Sequence, residues 1–244
     1  MLYAIRKIAR GEPMNIKKRS DLQESNSNIS ELLKTLHREV LGTTQNVVDL
    51  VTGLLELRDV GSGNHVKRTR DLTEILILEM MQSEKFANEL LEQDYLTIIR
   101  SAPLHDIGKI AVSDAILLKE GKLTDDEMRI VRNHTIIGGQ IIDSMRGLLE
   151  DKYFRHCKDI CLYHHERFDG AGYPYKLKGY EIPLSARILA IVDVYDALVN
   201  VRPYKKAMEH HDTMVIIADG MGTCFDPDIA QIFLEIGNKL QAVV

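Results

Sequence analysis

Residues 164–174 read HHERFDGAGYP, a histidine doublet that runs directly into a loop rich in glycine. The glycines and the proline of the segment 170–179 exclude a helix there, so we predict a structured loop. On both sides of it, apolar residues recur at spacings of three and four, and alternating strand-like runs with hairpin turns are nearly missing. The sequence therefore predicts an all-α fold that is interrupted by one long, ordered loop.

The composition limits the classes of protein to which the chain can belong. The chain has 244 residues, of which 45% are apolar and 27% charged, which is typical of a globular protein. No apolar run approaches the roughly 20 residues of a membrane-spanning helix, so no membrane span is predicted. The net charge of −5 gives no general attraction to a nucleic acid polymer, and none is predicted as a partner. Three cysteines are too few for a disulfide framework and favour a reducing, cytoplasmic compartment.

Composition and periodicity divide the chain into three parts. Residues 1–28 are interpreted as an N-terminal segment and linker: residues 11–28 are polar and weakly periodic, and residues 1–10 have a short helical pattern that we interpret as the remnant of an upstream sensory or receiver module. Residues 29–55 are predicted to form a connecting helix, and residues 56–244 the main domain. The helix has nearly heptad apolar positions: Ile29, Leu33, Leu36, Val40, Val47, Val51 and Leu54. That spacing fits a coiled-coil homodimer, and it fits equally well an amphipathic helix packed on its own domain.

Two helix starts carry their own capping signals. Thr124 and Glu127 have the spacing of a capping box, in which the two side chains satisfy each other's free amide groups. The helix that follows is expected to present one face made of Ile130, His134, Ile137 and Ile141. Asp226 and Pro227 predict the N-cap and first turn of a final helix that runs through Leu240.

Five histidines and two aspartates fall on or beside predicted helices. They are His65, His105, Asp106, His134, His164, His165 and Asp193. Each alone is more often an ordinary core or surface residue. Together they supply too many ligands for one metal ion and about the right number for two, if one carboxylate bridges. Imidazole with carboxylate suits iron, manganese or zinc rather than magnesium alone. The remaining histidines are interpreted as surface or core residues: His37, His156, His210 and His211.

The order of these residues resembles the HD-GYP family, the bacterial subgroup of the HD superfamily of metal-dependent phosphohydrolases that cleaves cyclic di-GMP. The resemblance covers roughly residues 55–240. It is carried by His65, LHDIGKI (104–110), His134, HHERFDGAGYP (164–174) and Asp193, and it continues through LLKEGKLT (117–124), IPLSAR (182–187), DVYDAL (193–198), RPYK (202–205) and GTCFDP (222–227). An HD pair alone is a weak signal, whereas the long string at 164–174 is very specific.

The resemblance implies an HD-type helical bundle with a structured GYP loop, two divalent metal ions and cyclic di-GMP as the substrate. By similarity, His65, His105 and Asp193 hold one ion; His134, His164 and His165 hold the other; Asp106 bridges them. Lys109 matches the catalytic lysine of the family, and Asp59 is expected to pair with it.

The resemblance also implies a substrate site. Tyr173, Arg202 and Lys205 match positions that contact the phosphates and bases of the dinucleotide, and Asp196 is expected to orient Arg202 or Lys205. One departure concerns the metals. Some members have a glutamate four residues before the first histidine that helps to bind a third ion, but this chain has Gly61 there, so we predict two ions. Glu166 and Asp169 are expected to order the loop or the ligands.

Two divalent ions neutralise an anionic phosphodiester and generate a nucleophile near neutral pH, and Lys109 is placed to protonate the departing 3′-oxygen. The expected product is linear pGpG, with a further cleavage to GMP left open. Three alternatives also stay open: a phosphodiesterase for another cyclic dinucleotide such as cyclic GMP-AMP, a non-catalytic cyclic-dinucleotide receptor, and a di-iron oxygenase. The intact metal positions and Lys109 argue against a receptor, while the GYP loop favours an anionic substrate over that of an oxygenase.

Overall fold

The computed structural model describes residues 31, 35, 42, 45–56, 58, 64–201 and 207–244. Several positions considered above lie outside this part of the chain, and what was predicted of them stays a prediction. They are residues 1–28, Ile29, Leu33, Leu36, His37, Val40, Asp59, Gly61, Arg202 and Lys205.

The described part of the chain is helical. Its α-helices are α1 (His65–Met80), α2 (Ala87–Glu92), α3 (Tyr95–Ser101), α4 (Asp114–Leu117), α5 (Asp125–Arg132), α6 (His134–Ser144), α7 (Asp151–Tyr163), α8 (Leu184–Val199), α9 (His210–Asp219), α10 (Pro227–Glu235) and α11 (Gly237–Gln241). Short 3-10 helices cover Ala102–Leu104, Ile107–Ala111 and Gly179–Glu181. The same residues contain no β-strand, only an isolated bridge between Met221 and Phe225. The all-α class is confirmed. Among these helices, none has both the length and the apolar character needed to cross a bilayer.

The chain divides into two units, residues 1–47 and 48–244. In the first unit, the described residues 31, 35, 42 and 45–47 are all helical. In the second, residues 48–56 are helical; Val48 is buried, and Val51 and Leu55 pack against the same apolar cluster. Leu50 and Leu54 are 64% and 56% exposed. The homodimer through residues 29–55 and the domain limits at 28 and 55 stay predictions.

Two apolar clusters enclose the segment that carries the His105-Asp106 pair. The larger one is built mainly by α1, α8 and α10, with Leu76, Ile188 and Phe233 fully buried. The smaller one joins the helical residues 48–55 to α6 and α7 and includes Leu104 and Ile107, on either side of the His-Asp pair. Because Leu104 and Ile107 are both buried in this cluster, the backbone of the His-Asp pair between them is held in a fixed position.

A glycine permits the closest approach near this segment. A Cβ atom on Gly108 would lie 1.9 Å from the carbonyl oxygen of His134 and 2.6 Å from the backbone nitrogen of Gly138. Only a residue without a side chain fits here, so the 3-10 helix of residues 107–111 lies directly on the first turns of α6. This contact brings Asp106 next to His134.

The predicted capping signals are confirmed, and two predicted helices are shorter than expected. Thr124 Oγ1 accepts the Glu127 amide, and the Glu127 carboxylate accepts the Thr124 amide at 2.7 Å. The continuous face expected over Ile130, His134, Ile137 and Ile141 is wrong, because the helix is broken at Asn133. Ile130 consequently lies on α5, which has no buried residue, and is 43% exposed.

The final helix was also predicted too long. Asp226 caps it, and Pro227 opens it, as expected, but α10 ends at Glu235 and α11 begins at Gly237. A Cβ at Gly237 would lie 2.8 Å from the Met214 side chain, so the chain turns here against α9 at a distance that only glycine allows.

Candidate metal centre

The predicted ligands stand at the ends of helices and turns that face one another. His65 is the first residue of α1, and His134 is the first residue of α6. His105 and Asp106 lie between the two 3-10 helices, and His164 and His165 directly follow α7. Asp193 lies within α8. Helix ends and turns expose side chains over a wide range of directions, which lets residues far apart in sequence meet at one place.

Their ligand atoms form two groups that share one carboxylate. The His65 group consists of His65, His105 and Asp106, whose ligand atoms lie within 4.8 Å of one another. Asp193 belongs beside it, since its Oδ1 is 3.9 Å from His65 Nε2 and 3.8 Å from His105 Nε2.

The second group, the His134 group, consists of Asp106, His134, His164 and His165, again within 4.8 Å. All seven predicted ligands are thus close together.

Asp106 points one carboxylate oxygen at each group. Its Oδ2 lies 3.2 Å from His105 Nε2, and its Oδ1 lies 3.3 Å from His134 Nε2 and 3.9 Å from His164 Nε2. Oδ1 is buried and has no hydrogen-bond partner among the described residues. A buried carboxylate oxygen without a partner is costly unless a cation satisfies it.

Four imidazole rings are oriented by a hydrogen bond of Nδ1, the ring nitrogen that points away from the cluster. The Nδ1–H groups of His105, His134 and His164 donate to the carbonyl oxygens of Ala102, Val131 and Ile160, at 2.9, 2.7 and 2.8 Å. His65 Nδ1 instead donates to Asp196 Oδ2 at 2.7 Å. With a proton on Nδ1, each of the four rings turns its Nε2 atom toward the cluster, the arrangement that metal-bound histidines have.

The cluster fits cations. His65 Nε2 lies 3.3 Å from His105 Nε2, and His134 Nε2 lies 3.4 Å from His164 Nε2. Two lone pairs that face each other at this distance repel unless a proton or a metal ion lies near both. The donor set of imidazole nitrogens and carboxylates is one that first-row divalent metals bind. These observations agree with divalent metal binding at this place.

The two groups differ in their protonation. Burial lowers the pKa of His134, of His164 and of His165, the last to about 4, so these rings are neutral at pH 7. Burial acts in the same direction on His105, but the negative charges of Asp106 and Asp193 outweigh it and raise the pKa of His105 to about 9.

The shared carboxylate stays ionised. Burial opposes its ionisation, but the positive charges of Lys109 and His105 hold the pKa of Asp106 well below its usual range. Lys109 Nζ is 2.6 Å from Asp106 Oδ2, one 3-10 turn along the chain. The ammonium group therefore lies beside the shared carboxylate.

Two cavities meet at Asp106 and Lys109. The larger is a cleft of about 380 Å³ that is floored by the cluster and walled by apolar residues of α5 and α8. Its lining residues are Asp106, Lys109, Val131, His134, His165, Tyr173, Asp193, Val194, Ala197 and Leu198. The smaller, of about 40 Å³, borders the His65 group and is lined in part by Thr52, Leu55 and Glu56.

The loop after the histidine doublet brings Tyr173 to the cleft. The Tyr173 ring centroid lies 4.9 Å from that of His165, and burial raises the pKa of Tyr173, so its hydroxyl stays protonated. Glu166 is buried and accepts the Tyr175 amide at 2.7 Å. Asp169 accepts the Ala171 amide at 2.8 Å. Both acidic side chains thus bind loop amides.

Asp196 has a role that the sequence analysis missed. It was expected to orient Arg202 or Lys205, both outside the described residues. Its carboxylate instead binds His65 Nδ1 and, at 2.6 Å, the Nε–H of Arg68. The sequence signal was its position one turn after Asp193 on α8, but only the packing of α8 on α1 reveals which histidine it orients.

The chain is similar in sequence to known proteins over most of its length. The HD domain family model matches residues 49–229. A cyclic di-GMP phosphodiesterase of Vibrio cholerae is 38% identical over 213 residues, which are 86% of this chain and 43% of that protein. A 3'3'-cGAMP-specific phosphodiesterase 2 of the same organism is 33% identical over 204 residues, 82% of this chain and 36% of that protein. The chain thus spans less than half the length of these relatives.

Among solved structures, a HDG"Y"P protein from Bdellovibrio bacteriovorus aligns with a TM-score of 0.50 at 16% identity, covering 70% of this chain and 51% of that one. This likeness concerns the fold. The family model covers most of the chain, including all seven predicted ligands. The chain therefore belongs to the HD domain family, and its resemblance to the HD-GYP proteins is confirmed.

Proposed function

We propose that this protein is a phosphodiesterase that hydrolyses cyclic di-GMP to linear pGpG. The observation that carries the proposal is the placement of Asp106, which points one oxygen at each of two histidine groups on the floor of a cleft. A relative at 38% identity that bears the name of this activity supports the choice of substrate. A subsequent cleavage to GMP is the further step that the product analysis below tests.

The centre is proposed to hold two divalent ions, iron or manganese, with zinc as the third choice. His65, His105 and Asp193 would hold one ion; His134, His164 and His165 would hold the other; Asp106 would bridge them. When bound, the ions would neutralise the phosphodiester and lower the pKa of a water molecule, so that a nucleophile forms near neutral pH.

The residues of the chain would bind, orient and protonate. Lys109, whose ammonium lies 2.6 Å from Asp106, is positioned to give a proton to the departing 3′-oxygen. Asp59 is proposed to pair with Lys109. The protonated Tyr173 hydroxyl can donate a hydrogen bond to a phosphate oxygen, and Arg202 and Lys205 are proposed to add positive charge.

The cleft suits a dinucleotide. Its volume of about 380 Å³ lies within the range of small-molecule sites, and its apolar wall of Val194, Ala197 and Leu198 offers a surface for the bases. We further propose that the protein acts in the cytoplasm; its three cysteines are free, and two of them, Cys157 and Cys161, are buried. A homodimer through residues 29–55 and an upstream sensory or receiver domain are proposed as partners.

The test combines metal and product analysis. Metal content is measured on protein purified without oxygen, and the protein is then incubated with cyclic di-GMP and with 3'3'-cGAMP while products are resolved by chromatography. We expect about two ions per chain and pGpG from cyclic di-GMP, and we expect His105→Ala to abolish turnover. Faster cleavage of 3'3'-cGAMP would favour the alternative that the 33%-identical relative suggests. Binding without any product would make the chain a receptor.

A further inference from the structure

Arg132 contacts Tyr173, a residue that lines the cleft, and lies outside the predicted set of substrate-binding residues. It is the last residue of α5, two positions before His134. Its guanidinium carbon lies 5.1 Å from the centroid of the Tyr173 ring, the distance of a cation–π contact. Since Tyr173 lines the cleft, this contact places the charge of Arg132 at the cleft's edge.

Arg132 has no carboxylate partner among the described residues, although the helix that bears it is rich in acidic residues. Arg129, one turn earlier on the same helix, pairs with Asp126 at 3.2 Å. Stacking on an aromatic ring leaves the N–H donors along the edge of a guanidinium available, and their fork matches the oxygens of a phosphate. Arg132 is exposed and contacts the Tyr173 ring, so its guanidinium is accessible to an anion.

The distance of Arg132 from the ligand cluster indicates which anion it would bind. The Tyr173 ring contacts both Arg132 and His165: its centroid lies 5.1 Å from the Arg132 guanidinium carbon and 4.9 Å from the centroid of the His165 ring. A phosphodiester held over Asp106 is thus one aromatic ring away from Arg132. A cyclic dinucleotide has two phosphodiesters in one macrocycle, so the second must lie elsewhere along the cleft while the first reacts.

We propose that Arg132 binds the phosphodiester of the substrate that is not being hydrolysed. This inference rests on the proposed function and deepens it, because it explains how the site distinguishes a cyclic dinucleotide from a simple phosphodiester. Arg132 supplies binding and orientation, and it takes no part in proton transfer.

The experiment compares two substrates. Cyclic di-GMP has both phosphodiesters, whereas bis(p-nitrophenyl) phosphate has only the one that reacts. For Arg132→Ala we expect KM for cyclic di-GMP to rise about tenfold, kcat to change less than about twofold, and the hydrolysis of bis(p-nitrophenyl) phosphate to stay unchanged. The salt dependence of KM for cyclic di-GMP should also become shallower, because one phosphate contact is lost.

Matched variants make the result specific. Arg132→Lys keeps the charge but loses the planar fork, so KM should lie between those of the wild type and Arg132→Ala. Arg129→Ala removes a cation from the same helix and should behave as the wild type with both substrates. Arg132→Gln replaces the alanine variant if that one does not fold, as judged by circular dichroism.

Three outcomes would overturn the inference. An unchanged KM for cyclic di-GMP would show that Arg132 does not contact the substrate. An equal loss with both substrates would show that Arg132 acts on the reacting centre or on folding. If the wild type hydrolyses bis(p-nitrophenyl) phosphate but no cyclic dinucleotide, the proposed function fails, and this inference fails with it; a wild type active on cyclic di-GMP with an unaffected Arg132→Ala variant overturns the inference alone.

Discussion

The His65 group and the His134 group share Asp106 but are oriented by different parts of the chain. In the His134 group, the orienting acceptors are main-chain carbonyl oxygens, those of Val131 and Ile160. In the His65 group, His105 also uses a main-chain carbonyl, but His65 depends on the side chain of Asp196. A side-chain acceptor can be removed by one substitution, whereas a helix carbonyl cannot.

The groups also differ in charge. The carboxylates of Asp193 and Asp196 both lie at the His65 group, in addition to the shared Asp106. The His134 group has only the shared carboxylate and three imidazoles whose pKa values are lowered by burial. The first group therefore holds a proton on His105 that an incoming cation must displace, and the second has its lone pairs available at neutral pH. Two ions of the same element would thus meet different sites.

The largest effect on metal content and turnover is expected at Asp106, the residue that both groups share. Asp106→Asn removes one negative charge from both groups at once, so we expect metal content to fall at both and turnover of cyclic di-GMP to drop at least about 10³-fold. Metal analysis and product chromatography measure the two quantities. Asp126→Asn, an exposed aspartate on α5, is the control and should retain both. Full metal content with full turnover in Asp106→Asn would contradict a shared carboxylate.

The next largest effect should be confined to one of the two groups. Asp196→Asn leaves His65 with a weaker acceptor, and we expect metal affinity of the His65 group alone to fall about 10- to 100-fold. A calorimetric metal titration should resolve one weakened and one unchanged site. Asp212→Asn, exposed on α9, is the matched control. An equal weakening of both sites would mean that the difference in orientation has no energetic consequence.

A third substitution acts on the contact that holds the groups together. Gly108→Ala places a methyl group against the His134 carbonyl, so the segment bearing Asp106 must move away from α6. We expect a loss of about 1–3 kcal/mol in the free energy of unfolding, measured with urea, together with reduced turnover. Gly53→Ala provides the comparison, because nothing lies within 4 Å of its added methyl group. If Gly108→Ala is as stable and active as Gly53→Ala, the close approach is not needed.

The smallest effect should leave both groups intact. Thr124→Ala removes the N-cap of α5, and we expect a loss of about 1 kcal/mol in the free energy of unfolding with metal content unchanged. Thr124→Ser keeps the hydroxyl and should restore most of that stability. A change in metal content would show that α5 transmits strain to His134.

The candidate ligands could be predicted because their signals are local. The histidine doublet, the His-Asp pair and the spacing to Lys109 are each contained in a few residues, and their order along the chain is specific. The orienting partners could not be predicted, because they depend on packing between distant helices. Asp196 meets His65 only where α8 lies on α1, and Arg132 meets Tyr173 only because the chain turns at Asn133.

The fold was predicted in class and not in detail for a similar reason. The capping box at Thr124 is a local signal and was confirmed. The helix breaks at Asn133 and Ile236 were missed because the apolar period continues through both positions. The turn at Ile236 reflects the contact of Gly237 with α9, and the turn at Asn133 directly precedes His134 of the ligand cluster.

The smaller cavity places residues 48–56 next to Asp106 and Lys109. Thr52, Leu55 and Glu56 form part of the wall of this cavity, and Asp106 and Lys109 form another part. A sideways or axial displacement of this helical segment would therefore alter the space around the ammonium group without any relay through the bundle. Only this small cavity would then lie between the moving helical segment and the proposed catalytic groups.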